Sequence, residues 1–232
     1  MAYHIWTDTS ANLPAPLCKK LGIGVLPFHF IHNGGAEQCC LDTDAFPYEA
    51  YYEDLKNGGV ATTSMINSEA YREIFEREAE SGHDVLYIGM SSGISGAYGA
   101  SAIAAREAGE RYPDRRFEVF DTRGASLGEG LLVLAAQKLQ KAGADLQKVL
   151  RELDRLRTHM MQIFTVDDLM YLKRGGRISR MTFWRSAPAF WSFWAASTSK
   201  PSPREAPLVS KTSKRCWGYL SPASRAAKAE AP

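Results

Sequence analysis

The 232-residue chain of 25.7 kDa is 45% hydrophobic and 23% charged, the composition of a folded protein rather than of a collagen, a disordered tail or a disulfide miniprotein. Its 28 basic and 26 acidic side chains nearly cancel, no apolar run reaches the roughly 18 residues needed to span a bilayer, and the opening MAYHIWTDTS lacks the basic patch and apolar stretch of a signal peptide; a cytoplasmic protein without stable membrane insertion is expected. Cys18, Cys39, Cys40 and Cys216 form no C-x-x-C pair, and vicinal Cys39 and Cys40 are poorly placed to bridge each other, which disfavours a disulfide or zinc framework.

Along the chain, Tyr3 to Trp6 is the first predicted strand and Pro14 to Leu21 a short helix opened by a proline. Gly24 to His32 is extended but interrupted at Pro27, with Asn33-Gly34-Gly35 as its turn. Phe46 to Lys56 and Ser68 to Ser81 are helical by pattern, the second opened by Asn67 or Ser68 and carrying Ala70, Ile74 and Phe75 on one face. Asp84 to Met90 is a compact apolar strand, and the turn SSGISG leads from it into an alanine-rich helix from about Gly96 to Arg111. Phe117 to Phe120 is a strand ending at Asp121. Gly128 to Lys141 and Asp145 to Arg157 are helices separated by Gly143, and Met161 to Val166 is a last strand before Asp167-Asp168-Leu169. Strands alternating with helices through short connections predict an α/β fold, a mostly parallel sheet flanked by helices.

The densest concentration of chemistry is Gly89-Met90-Ser91-Ser92-Gly93-Ile94-Ser95-Gly96, between a strand end and a helix start. Free backbone N–H groups, the positive end of a helix dipole and several hydroxyls meet there, which suits an anion. The same residues match G-x-S-x-G, the nucleophile elbow of serine hydrolases, with Ser91 followed by Asp121 and His159 in the required order; no HGGG-type oxyanion motif precedes them. A phosphate-binding P-loop would need a lysine that is missing. Further polar clusters stand at neighbouring strand ends: Thr7-Asp8-Thr9-Ser10, Thr62-Thr63-Ser64, Asp121-Thr122 and Lys173-Arg174-Gly175-Gly176-Arg177. Rich in hydroxyls and without a convergent Cys, His and carboxylate set, they favour holding a carboxylate or phosphate over hydrolysis or metal coordination. His4, His29, His32, His83 and His159 show no metal-ligand spacing, since His29 and His32 would share a face only on a helix.

The order of these motifs resembles the DegV family of fatty-acid-binding proteins. The matching pieces are TDTSANL (Thr7 to Leu13), VLPFHF (Val25 to Phe30), TTSMINS (Thr62 to Ser68), IGMSSGISGAYGA (Ile88 to Ala100), VFDTRGASLGEG (Val119 to Gly130) and FTVDDLMYLKRGGRIS (Phe164 to Ser179). The departures are Thr9 where the family usually has Ser, Met65 and Ile66 where it favours Gln and Pro, and Ala97 where the helix usually opens Ser-Gly-Thr. The resemblance implies a two-domain α/β protein that buries a long-chain fatty acid, its carboxylate held by Thr63, Ser64 and Ser95, with Ser92 and Gly96 beside them. It implies an acyl carrier rather than an enzyme, one that presents the carboxylate to an ATP-dependent fatty acid kinase and needs no nucleophile, metal or other cofactor. Arg177 is the candidate kinase-facing or carboxylate-adjacent charge. Such a division of labour is physically reasonable: each buried CH2 contributes about 0.8 kcal/mol, and the buried carboxylate must be met by several donors.

Composition divides the chain further. Residues 183–232 hold eight basic residues against Glu205 and Glu230, leaving twenty basic against twenty-four acidic before them, together with four of the five Trp and six of the eleven Pro. The expected organisation is a DegV-like α/β domain over 1–158, the start of a second, incomplete α/β domain with the G-G-R motif over 159–182, and an atypical basic segment over 183–232. An abrupt Trp-, Ser- and Pro-rich stretch at a motif boundary is what translation in a shifted reading frame would give, the alternative being a lineage-specific basic terminal segment, and the coding DNA decides between them. A segment unable to complete the acyl tunnel would weaken lipid binding. Its scattered basic residues form no regular basic helix, so no nucleic-acid partner is expected.

Overall fold

In the computed structural model the described residues are 3–39, 41, 46–162 and 169–176. The chain divides into two compact units, residues 1–165 and 166–232. In the first unit, β1 (Tyr3–Asp8), β2 (Gly24–Leu26), β6 (Asp84–Gly89) and β7 (Phe117–Asp121) form a sheet of order β2-β1-β6-β7 in which every pairing is parallel. The expected parallel α/β architecture is therefore present. Central β6 is buried along its whole length, as a strand covered on both faces must be.

Alternation along β6 separates two cores. Leu86 and Ile88 point to one face, where they pack with Ile5, Phe120, Val133, Val149 and Leu153, covered by α1 (Ala15–Leu21), α5 (Leu127–Lys141) and α6 (Leu146–His159). Val85 and Tyr87 point to the other, against Tyr71 and Phe75 of α3 (Ser68–Glu80) and Ala104, Ala105 and Ala108 of α4 (Ala97–Arg111). The alanines of α4 let it lie close to the aromatic face of α3. Caps at the helix starts follow the sequence: the Asn67 side chain accepts the Ala70 N–H at 2.9 Å, and Asp145 accepts that of Lys148 at 2.7 Å.

A second sheet had no counterpart in the sequence reading. The segment 24–32 breaks at Pro27, and its later half, β3 (His29–His32), pairs antiparallel with β4 (Glu37–Cys39) on one side and β5 (Ala61–Ser64) on the other. Both partners are short, polar and largely exposed, so neither carries an apolar pattern. Helix α2 (Tyr48–Lys56) begins two residues later than expected, because Phe46 precedes Pro47 and is disfavoured from helical geometry. Met161 and Gln162 are irregular where the last strand was expected to begin; residues 163–166 lie outside the described residues. In the second unit, α7 (Leu169–Arg174) ends at Gly176, whose φ of 73° and N–H bond to the Lys173 carbonyl at 3.0 Å close the helix. The remainder of the G-G-R motif, including Arg177, and the whole of 183–232 also lie outside the described residues. No described helix is long and apolar enough to cross a membrane.

Candidate carboxylate-binding site

The loop from β6 to α4 stands at the carboxyl end of the parallel sheet and is fastened to the end of β7. Thr122 Oγ1 donates to the Gly89 carbonyl at 2.8 Å, and Ser91 N–H donates to the Gly124 carbonyl at 2.9 Å. Asp121 receives the Ser92 hydroxyl at 2.6 Å, the Ser92 N–H at 3.1 Å and the Arg123 N–H at 2.9 Å. Burial pushes the Asp121 carboxyl upward, but the Ser92 hydroxyl, the two N–H groups and nearby Arg157 outweigh it and hold the group below the usual carboxylate range. Ser92 is thus committed to a protein carboxylate in this arrangement.

Two of the expected hydroxyl motifs adjoin. A Cβ placed on Gly96 would lie 2.9 Å from Sδ of Met65, so the side chain of the residue after Thr63-Ser64 rests against the start of α4. Gly96 is the N-cap of α4 and offers no side chain of its own to cap it. Ser95 turns its oxygen to the Ala97 N–H at 3.2 Å, which leaves its own O–H to donate. The Ala97 N–H is therefore already engaged. Thr63 is exposed on β5 opposite Phe30, while Ser64 donates its hydroxyl to Glu37 Oε1 at 2.6 Å. Met65, next after Ser64, thus touches Gly96, and Ser92 lies on the same loop as Ser95.

The hydrolase alternative does not assemble. Ser91 Oγ accepts the Gly93 N–H at 3.2 Å, Asp121 holds Ser92 instead, and His159 turns Nδ1 back to the Arg155 carbonyl of its own helix at 2.7 Å. A working triad needs the base on the nucleophile and the acid on the base. None of these contacts exists among the described residues.

Beneath the loop lies a polar network that the motif reading did not anticipate. Tyr71 and Tyr87 share a hydrogen bond at 3.0 Å, Tyr87 donates to Asp8 Oδ2 at 2.6 Å, and Asp8 also receives the Ser10 N–H at 2.8 Å. Glu129, wholly buried, takes the Ser10 hydroxyl at 2.6 Å and that of Thr7 at 3.2 Å. Burial first, and then the charge of Asp8, push the Glu129 carboxyl up to about 9. Burial likewise raises the Asp8 carboxyl and both tyrosines. The one sequence signal was a carboxylate between Gly128 and Gly130 in an otherwise apolar helix start; Gly130 lets α5 approach the Ala11 carbonyl, where a Cβ would sit 2.6 Å away. An open cavity of about 260 Å³ adjoins Asp8, its walls including Leu13, Cys18, Ile23 and Val25.

Comparison with known proteins decides the family. A family model described as uncharacterised protein, DegV family, matches residues 2–184. The chain belongs to the DegV family. A DegV domain-containing protein of Clostridium perfringens is 37% identical over 184 residues, which are 76% of this chain and 60% of that protein. Another, from Lactococcus lactis, is 33% identical over 180 residues, 78% of this chain and 62% of that one. The chain thus spans about three fifths of the length of these DegV relatives. Among solved structures, a fatty-acid-binding DegV family protein from Thermus thermophilus superposes with a TM-score of 0.68 at 32% identity, covering 83% of this chain and 64% of that one. DegV of Bacillus subtilis, a fatty acid binding protein, gives 0.62 at 26% identity over the same shares.

Proposed function

We propose that this DegV chain binds a long-chain fatty acid without acting on it chemically, and that it presents the carboxylate to an ATP-dependent fatty acid kinase. The observation that carries the reading is Ser95 at the start of the 15-residue α4, whose hydroxyl proton is left to donate, and the contact of Met65, the residue after Thr63-Ser64, with the neighbouring Gly96 supports it. Such a place supplies what an incoming carboxylate requires: hydroxyl donors of adjustable orientation and the positive end of a helix dipole. Ser95 is the first donor in this reading, because its oxygen is already fixed by Ala97 and its proton is free to turn outward. Thr63 is the second, and Ser64 joins on leaving Glu37. Ser92 acts at one remove by tying the loop to Asp121. Arg177, outside the described residues, is assigned to the kinase-facing side. The fatty-acid binding of the Thermus and Bacillus relatives supports the ligand class.

Delipidated protein titrated with a long-chain fatty acid is expected to bind one equivalent, as read by native mass spectrometry. Ser95→Ala should weaken binding about ten- to a hundredfold, the worth of a hydrogen bond to a charged group. Absence of stoichiometric binding, or labelling of Ser91 by a serine-reactive probe, would overturn the carrier reading. The kinase step is tested separately, by acyl-phosphate formation from the bound fatty acid with ATP and a kinase; tight binding without transfer would overturn that part alone.

A further inference from the structure

Glu37 stands on the edge strand β4 and reaches across β3 to Ser64 of β5. In the ladder, Ile31 pairs with Glu37 on one side and with Thr62 on the other, while His29 pairs with Ser64; Glu37 and Ser64 therefore lie on one face of the sheet, two positions apart in register. The Ser64 hydroxyl donates to Glu37 Oε1 at 2.6 Å, the length of a hydroxyl bond to an ionised carboxylate. Among the described residues no cation pairs with Glu37. We propose that Glu37 is an internal competitor of the ligand: its carboxylate holds the Ser64 proton until a fatty-acid carboxylate displaces it, and so sets both affinity and head-group preference. This role rests on the carrier reading of the Thr63-Ser64 motif.

Proton counting makes the competition direct. A serine has a single hydroxyl proton, and an ionised carboxylate offers acceptors only. The ligand and Glu37 cannot both take that proton at full strength, and two carboxylates gathered at one hydroxyl repel each other. A neutral head group meets no such conflict, because an alcohol donates its own proton to Glu37 or to Ser64 Oγ. Displacing Glu37 disturbs little. Strand β4 has three residues, all exposed, and is paired with β3 alone, so the Glu37 side chain can swing into water without opening a core. Ser64 is then available to the incoming carboxylate, and on release Glu37 takes it back. A carrier has to surrender its cargo, and a built-in carboxylate at one of the donors favours that step.

The delipidated full chain is titrated by calorimetry with palmitate and with hexadecanol. Glu37→Gln, which keeps the shape and removes the charge, should bind palmitate about two- to tenfold more tightly than the unaltered chain, the net worth of a hydrogen bond, and hexadecanol no more tightly. Glu37→Ala, which removes the acceptor as well, should gain at least as much. In a Ser64→Ala background the gain should fall away, since the contested proton is gone. Glu110→Gln makes the same change of charge on an exposed residue in the last turn of α4, about 20 Å along that helix from Gly96, and should leave palmitate binding as it was. Unchanged palmitate binding in both Glu37 variants, an equal gain for hexadecanol or in Glu110→Gln, or an undiminished gain on Ser64→Ala would overturn the role of Glu37 and leave the carrier reading standing. Failure of the unaltered chain to bind palmitate would overturn both.

Discussion

Glu129 occupies a place that few carboxylates tolerate: it is fully enclosed, its oxygens reached only by the hydroxyls of Thr7 and Ser10, with the carboxylate of Asp8 nearby. Its value of about 9 in the folded chain stands above the ordinary 4.5, so folding takes up a proton that the unfolded chain would release. The sign follows from linkage: the stabilisation is complete below the unfolded value and is lost as pH rises through the folded one. A group shifted this way contributes a slope of up to about 1.4 kcal/mol per pH unit between the two values. Glu129→Gln, which stays neutral, is expected to flatten the fall of melting temperature with rising pH and to exceed the unaltered protein in stability at the alkaline end. Thermal melts across that range check this, and parallel slopes for the two proteins would contradict it. The motif reading placed Ser92 among the carboxylate donors, yet its partner here is Asp121. A hydroxyl in a Gly- and Ser-rich turn can serve either role, and spacing along the chain does not tell which.

At the scale of elements, the helices are the part most readily read from the chain. Helix α3 starts at Ser68 and α6 at Leu146 because Asn67 and Asp145 cap them, and both caps satisfy N–H groups that would otherwise lack a partner. Asn67→Ala and Asp145→Ala should each cost about 1 kcal/mol of stability in denaturant unfolding, with no change in the slope of the transition. An effect indistinguishable from zero would mean that tertiary packing, not the cap, defines the helix start. The short strands β4 and β5 were hidden for the complementary reason. Three or four polar, exposed residues hold no periodic signal, and their strand geometry comes from hydrogen bonding to β3.

Over the whole first unit, one parallel sheet divides two cores, and each is closed by side chains distant in sequence. Phe75, enclosed with Tyr71, Val85 and Tyr87 on the α3/α4 face, should cost about 3–5 kcal/mol on truncation to alanine. Ile94, 43% exposed on the loop, should change stability by less than about 0.5 kcal/mol. Equal effects in equilibrium unfolding would refute this placement of the core. The sequence by itself determined the α/β class, the capped starts of α3 and α6 and the hydroxyl-rich loop at the end of β6, because hydrophobic period, capping residues and turn glycines act locally. Its motif order also pointed to the DegV family, which the family match bears out. Tertiary structure alone decided which polar groups meet. Glu129 meets Thr7 and Ser10 only because α5 packs against the turn after β1. His4 comes to Glu78 across 74 positions of sequence. Such pairings depend on the balance of burial and hydrogen bonding across the fold, and no spacing along the chain encodes them.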